Sequence, residues 1–229
     1  MITLTNLTVR KKSRTIIDDV TLQLPDSGHT IVIGPNGSGK TTLLRAMFGL
    51  ERVAAGQVAW AGSVPADHAF VFQSPTVLQR SVRDNIAYPL HLLGWSRRDI
   101  MAAADDWLHR IGLHSQADLA ATRLSGGERQ KLAIARALIR NPKVIFLDEP
   151  CANLDGQATR DIEDMLSETL QSGTRIIMST HNMGQAVRLA TDAVFMLHGR
   201  MHENGMADIL ITQAKTPELN AFLKGDILL

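Results

Sequence analysis

The run Gly34-Pro35-Asn36-Gly37-Ser38-Gly39-Lys40-Thr41 carries the spacing G-x-x-x-x-G-K-[ST]. Glycines let successive backbone N–H groups curl around one anion, and a helix beginning near the lysine adds partial positive charge. In such a loop Lys40 reaches the outer phosphates of a nucleotide, the Thr41 hydroxyl ligates Mg²⁺, and Thr42 opens the helix that follows. A second stretch, Val144-Ile145-Phe146-Leu147-Asp148-Glu149, is an apolar strand ending in two carboxylates. It delivers Asp148 to the C-terminal edge of a sheet, where it can hold Mg²⁺ through water, and places Glu149 to polarise an attacking water as general base. A third, Leu124-Ser125-Gly126-Gly127-Glu128, reads as a capping box for the helix after it. Capping alone does not explain two glycines in the first turn, each costing about 1 kcal/mol of helix propensity. A backbone that must approach a phosphate does explain them, so this is a candidate second anion-binding helix start.

These residues need elements that bring them together. Thr30 to Ile33 is an apolar strand directly before the glycine loop, and Thr42 to Phe48 is a helix closed by Gly49. Upstream, Thr3–Val9 and Val20–Leu24 alternate with period two, joined through the basic turn Arg10-Lys11-Lys12-Ser13-Arg14. Gln57–Trp60 and Ala69–Phe72 are further short strands. From Val77 to Arg123 the periodicity turns helical, with Ser96-Arg97-Arg98-Asp99 as a capping box and Gly112 as a stop. Beyond it a helix runs to Ile139, strands are expected at Val144–Leu147, Arg175–Ser179 and Ala193–Leu197, and a helix carrying Ile162 and Leu166 stops at Gly173. Short helices follow from Ala207. Apolar strands alternating with helices predict a parallel sheet covered on both faces.

Composition narrows the class. The chain has 229 residues, 45% of them hydrophobic, enough for one large domain with a full core. Its net charge of +1 gives no electrostatic reason for a nucleic-acid partner. No apolar run reaches bilayer length and the N-terminus lacks a secretory pattern. The single cysteine, Cys151, excludes an intrachain disulfide framework and suits a reducing cytosol.

The three stretches, in this order, resemble the ATP-binding cassette (ABC) ATPases, and the resemblance covers essentially the whole chain. Gly34–Thr41 is similar to that family's Walker A loop, Val144–Glu149 to its Walker B strand and Leu124–Glu128 to its signature. Gln73 resembles the Q-loop glutamine, Asn153-Leu154-Asp155 the D-loop and His181 the switch histidine. The resemblance implies an α/β P-loop NTPase with a mainly parallel core sheet, an N-terminal antiparallel β portion and an inserted α-helical sub-domain. Over a single domain of residues 1–229, it assigns 1–76 and 124–229 to a RecA-like core with its β portion, and 77–123 to the helical sub-domain. ATP and Mg²⁺ are the implied ligand and cofactor. Two copies would pack head to tail, with each ATP between the Walker A of one and the signature of the other. Gly34 to Thr42 would hold the phosphates, Thr41, Gln73 and Asp148 would serve Mg²⁺, and Glu149 would activate water. His181 would contact the γ-phosphate; Ser125, Gly126 and Gly127 of the second copy would close the site, with Asp155 beside it.

Two departures stand out. The family places an aromatic before the second strand to stack on adenine, whereas the first aromatic here is Phe48. Lys11 falls near the expected position and is expected to lie over the purine through cation–π contact. Cys151 replaces a small polar residue; its plain reading is a buried filler, its less plain one a redox switch beside Glu149. A lone cassette without a membrane segment implies a separate-subunit transporter, peripheral on the cytoplasmic face through membrane permease subunits and served indirectly by a substrate-binding protein. With the sequence stopping at residue 229, no added regulatory domain is expected. Ser179–Ala186 and Phe222–Leu229 are similar to tungstate-type importer ATPases, so a small oxyanion is the expected cargo. An exporter or lipoprotein-release ATPase, or a non-transport cassette ATPase, is the alternative.

Overall fold

Strand β1 (Ile2–Lys11) turns through Lys12 and Ser13 into β2 (Arg14–Leu24), with Lys12 at φ 56°. After β3 (His29–Ile33) come the glycine loop, α1 (Lys40–Phe48), β4 (Val53–Trp60) and β5 (His68–Val71). The helical insertion contains α2 (Val82–Leu92) and α3 (Arg97–Arg110), followed by α4 (Gly126–Leu138). The rest alternates: β6 (Val144–Asp148), α5 (Gly156–Gln171), β7 (Arg175–Ser179), α6 (Met183–Leu189), β8 (Asp192–Leu197) and β9 (Arg200–Met206), then α7 (Ala207–Thr212) and α8 (Pro217–Lys224). This computed structural model describes residues 1–226, so Ile227 to Leu229 of the oxyanion-importer-like segment lie outside the described residues.

Two sheets organise these elements. A three-stranded antiparallel sheet has the order β2-β1-β4. A six-stranded sheet has the order β5-β6-β7-β3-β8-β9, parallel throughout except for the β8–β9 edge pair. The period-two side-chain alternation splits the central strands between two cores. Val32, Phe146, Ile177 and Val194 face Leu43, Leu44 and Met47 of α1 together with Leu4, Leu7 and Leu22 of the small sheet. Ile31, Ile145, Leu147 and Ile176 face Leu132 and Ile162 of α4 and α5, in a core that continues to Ile86 and Leu108 of the insertion. Burial of each such side chain contributes about 2 kcal/mol, so α1 is clamped between the two sheets and its N-terminus cannot drift.

The insertion is tied down at its roots, where Val82 N–H donates to Leu119 O and Ala121 N–H to Arg80 O, each at 2.9 Å. Asn85, fully buried, fixes the approach to α2: it accepts from Leu78 N–H at 2.8 Å and from Arg136 at 3.2 Å, and donates to Ser81 O at 2.9 Å. Helical structure therefore starts at Val82 under a Ser81 cap and not at Val77. Ser96 caps α3 as expected, although the Asp99 carboxylate turns to the Ser96 hydroxyl at 2.7 Å rather than to its backbone. Two elements go beyond the sequence reading. The short α6 is held by its Asn182 cap, and β9 is polar and largely exposed because it pairs only at the sheet edge. Among the described residues no helix is long and apolar enough to cross a membrane.

Candidate active site

The glycine loop leaves β3 at the C-terminal edge of the large sheet and enters α1. At Gly34, φ is 146° and a Cβ would fall 2.1 Å from Met196 O, so only glycine fits beside that backbone. Lys40 begins α1, and its ammonium turns back to donate to Gly34 O at 2.8 Å and Pro35 O at 3.0 Å. It also lies 3.7 Å from Glu149 Oε1. Burial holds the Lys40 pKa below the ordinary lysine value, while the carboxylates of Glu149 and Asp148 pull it back upward. No side chain caps α1 and no acidic residue occupies its first turn. The Ser38 hydroxyl is buried without a partner among the described residues. Free N–H groups, a buried ammonium and an orphaned hydroxyl at one helix start make a cradle for an anion.

Sheet register supplies the carboxylates. Asp148 ends β6 opposite Ser179 of β7 and accepts hydrogen bonds from Thr41 Oγ1 and Ser179 Oγ, both at 2.8 Å. Ser179 also receives Glu149 N–H, at 3.1 Å on its carbonyl and 3.0 Å on its hydroxyl. Those bonds hold Glu149 at φ 45°, a left-handed conformation uncommon outside glycine. The resulting turn aims its carboxylate at His181, whose Nδ1 shares a 2.9 Å hydrogen bond with Glu149 Oε2. Ser179 was not singled out for chemistry from the sequence; only the β6–β7 pairing shows that it joins Thr41, Asp148 and Glu149 into one network.

A cavity of about 800 Å³ opens over this network. Asn36, Gly37, Gly39, Lys40, Thr41, Thr42, Gln73, Glu149 and His181 line it, so the structure brings these expected residues together. Gly34, Pro35, Ser38 and Asp148 lie behind the lining and hold it in place. Lys11 does not reach the cavity. It stands at the end of β1, and its ammonium pairs with Glu51 at 2.6 Å. The wall near the hairpin is instead Arg14, Thr15 and Ile16 of β2. The hairpin register decides this, since Lys11 faces Arg14 across the turn and only the β2 side borders the opening.

Ser125, Gly126, Gly127 and Asp155 are elsewhere within the chain. With Glu128 they border a second groove of about 350 Å³, which shares only Asn153 with the first. The capping box is present: Glu128 N–H donates to Ser125 Oγ at 3.3 Å and Ser125 N–H to Glu128 Oε2 at 2.8 Å. Hydrogen bonds from Gln116 and Ser125 hold the Glu128 pKa below the usual carboxylate value. Asp155 caps α5 by accepting from Ala158 N–H at 2.8 Å. A Cβ at Gly127 would meet Ala158 Cβ at 2.8 Å, so that glycine has a packing reason besides any ligand. Gly126 has none, because nothing among the described residues lies within 4 Å of its Cβ position.

Cys151 is partly buried against the core, and burial pushes its thiol up to about 11. A thiol held protonated is a poor redox trigger, which favours the filler reading.

The sequence matches the ABC transporter family over residues 17–152. It is 38% identical over 207 residues to the tungstate uptake system ATP-binding protein TupC of Peptoclostridium acidaminophilum, covering 88% of this chain and 97% of that one. The chain belongs to the ABC transporter family. A second relative is the Fe(3+) ions import ATP-binding protein FbpC of Streptomyces coelicolor, 37% identical across 90% of this chain, which spans 62% of that protein's length. In fold, it is similar to an ATP-binding cassette solved as a dimer in a post-hydrolysis state with ADP and Pi. That similarity has a TM-score of 0.81 at 23% identity, covering 90% of this chain and 99% of the other.

As an ABC ATPase the chain binds and hydrolyses ATP, with Mg²⁺ as the accompanying ion. The donor set fits both. Thr41 and Asp148 present hard oxygen ligands beside the anion cradle, suited to an ion that takes one or two protein ligands and completes its shell with water and phosphate. Mg²⁺ bound there would supply charge neutralisation at the phosphate oxygens. The protein's own contribution is an ammonium fixed by two carbonyls, a carboxylate beside a histidine, and a helix N-terminus left open.

Proposed function

We propose that this chain is the ATP-hydrolysing subunit of a binding-protein-dependent importer, working as a head-to-tail pair. The observation that carries the pairing is the separation of the Lys40 cavity from the Ser125 groove within one chain. Both gather features suited to a phosphate, yet neither is complete, and a second copy in reverse orientation would join one to the other. In this reading Gly34 to Thr42 and Lys40 hold the β- and γ-phosphates. Thr41, Asp148 and Gln73 hold Mg²⁺, Glu149 takes the proton from the attacking water, and His181 aligns at the γ-phosphate. Ser125, Gly126 and Gly127 of the facing copy close the site with Asp155. Arg14, Thr15 and Ile16 border the base in place of an aromatic ring.

An apolar groove of about 440 Å³ supports a membrane permease as partner. It is lined by Phe72, Tyr88 and Leu92 at the junction of the core and the helical segment 77–123, with Phe72 and Leu92 exposed. Seated there, the subunit would be peripheral on the cytoplasmic face. For the cargo we propose a small oxyanion such as tungstate, on the likeness to the tungstate relative along nearly that protein's full length. The iron-importing relative is almost as similar by identity but carries additional sequence.

The test is twofold. Hydrolysis per chain should rise with protein concentration; a proven monomer with concentration-independent specific activity would contradict the paired site. For the cargo, tungstate uptake should require this chain and its co-purifying permease in cells. Normal tungstate uptake without the chain would exclude that cargo.

A further inference from the structure

The start of α4 carries a negative charge where the proposed pair would bring a phosphate. Glu128 borders the same groove as Gly126 and Gly127. Like charges a few ångströms apart repel strongly once water is excluded from between them. A carboxylate suits that position only when its oxygens are engaged elsewhere.

The Oε2 atom is engaged by the cap, accepting from Ser125 N–H at 2.8 Å and from Ser125 Oγ at 2.7 Å. The Oε1 atom is engaged from outside the helix: the Gln116 side-chain amide donates to it at 2.7 Å. Gln116 closes a single helical turn, His114–Gln116, between α3 and α4. Its neighbours Leu113 and Ala117 are buried, and Ala117 O accepts from Arg83 N–H of α2 at 2.9 Å. The amide is therefore presented from fixed backbone. Arg129 secures the other flank, donating to Leu124 O at 2.8 Å and Thr122 O at 3.1 Å. Those bonds fix the backbone that enters the helix, but not the carboxylate. Within the capping box the N–H groups of Ser125 and Glu128 are taken. Those of Gly126 and Gly127, at the first two helical positions, have no intrahelical acceptor.

We infer that Gln116 is a positioning residue for hydrolysis in the facing copy. By taking up Glu128 Oε1 it holds the carboxylate off the Gly126 and Gly127 N–H groups and leaves them open to the other copy's γ-phosphate. The inference rests on the head-to-tail reading, in which those two glycines face the neighbour's nucleotide.

The test uses ATP hydrolysis by dimers mixed from Lys40→Ala and Ser125→Arg chains, whose homodimers are inactive on that reading. The one working site joins the cavity of the Ser125→Arg chain to the groove of the Lys40→Ala chain. Gln116→Leu added to the Lys40→Ala chain should lower activity about tenfold, the scale of a lost hydrogen bond to a charged group. Added to the Ser125→Arg chain, whose groove is already blocked, it should change activity by less than about twofold. A fold-wide defect would appear in both arrangements. Glu128→Gln removes the charge while keeping a capping side chain, so combining it with Gln116→Leu in the Lys40→Ala chain should restore most of the loss. Equal losses in the two arrangements, no loss in either, or no rescue by Glu128→Gln would overturn the role of Gln116. Should Gln116→Leu fail to fold, Gln116→Ala is judged by the same criteria. The pairing is judged separately. No activity in proven mixed dimers with Gln116 intact defeats the head-to-tail reading and this inference with it, whereas activity there beside equal losses defeats only Gln116.

Discussion

The phosphate-loop cavity and the groove at the start of α4 each present a helix N-terminus, yet they are finished differently. At α1 no side chain caps the helix, Ser38 is orphaned, and the opposing charges of Lys40 and Asp148 are both buried. At α4, Ser125 and Glu128 already satisfy one another, with Ser125 exposed and Glu128 half-buried. The first region has its desolvation cost met by the fold and stands ready for a highly charged ligand. In the proposed head-to-tail pair the second would persist in water until the other copy covers it; it is capped by its own residues and would offer the N–H groups beside Gly126 and Gly127. On that proposal, a helix start that receives its ligand in a buried cavity can be left uncapped, whereas one exposed until a neighbour arrives is capped by its own side chains.

That contrast can be broken most strongly at the chemistry. Glu149→Gln should reduce kcat about a thousandfold while ATP binding, read by equilibrium titration, persists; substantial turnover would remove Glu149 from the proposed role. The next test joins the two regions. Lys40→Ala and Ser125→Arg should each be nearly inactive alone, and mixing them should recover roughly a quarter of wild-type activity or more through dimers carrying one intact composite site. No recovery from a mixture shown to form heterodimers would mean that the groove does not serve its neighbour's nucleotide.

A stability test probes the opposite edge of the same sheet. His29, at the start of β3, is buried, and burial followed by the charge of Arg175 lowers its pKa to about 3. It stays neutral in the fold while the unfolded chain takes up a proton below pH 6.5. Stability is therefore fully present above that pH and should fall by about 1.4 kcal/mol per pH unit as pH drops from there toward 3. Denaturant midpoints should show this slope, and His29→Gln should flatten it. The smallest effect concerns the base. Arg14→Ala should raise KM for ATP about threefold through lost contact in the cavity wall, and Lys11→Ala should leave it unchanged. The reverse outcome would return Lys11 to the site.

Much of the chemistry was legible because it is local. Gly34 to Thr41 lies between an apolar strand and a helix, and that context depends on neighbours within about ten residues. Likewise, β6 is a buried strand because Val144, Ile145, Phe146 and Leu147 put apolar side chains on both faces. The Ser125 cap needs only Glu128. What stayed hidden depends on pairing between distant segments. Ser179 joins the site through the β6–β7 register, and a shift of one residue would have aimed it away from Asp148. Arg14 replaces Lys11 at the cavity wall because of which hairpin strand borders the opening.

The sequence by itself determined a phosphate loop at one helix start, a capping box with two glycines at another, and a carboxylate pair at a strand end, since residue type and spacing suffice for each. Only the tertiary structure decided that Gly127 yields to Ala158 and that Glu149 is bent toward His181 by Ser179. Those outcomes depend on close packing and sheet register, which couple residues that local spacing cannot relate.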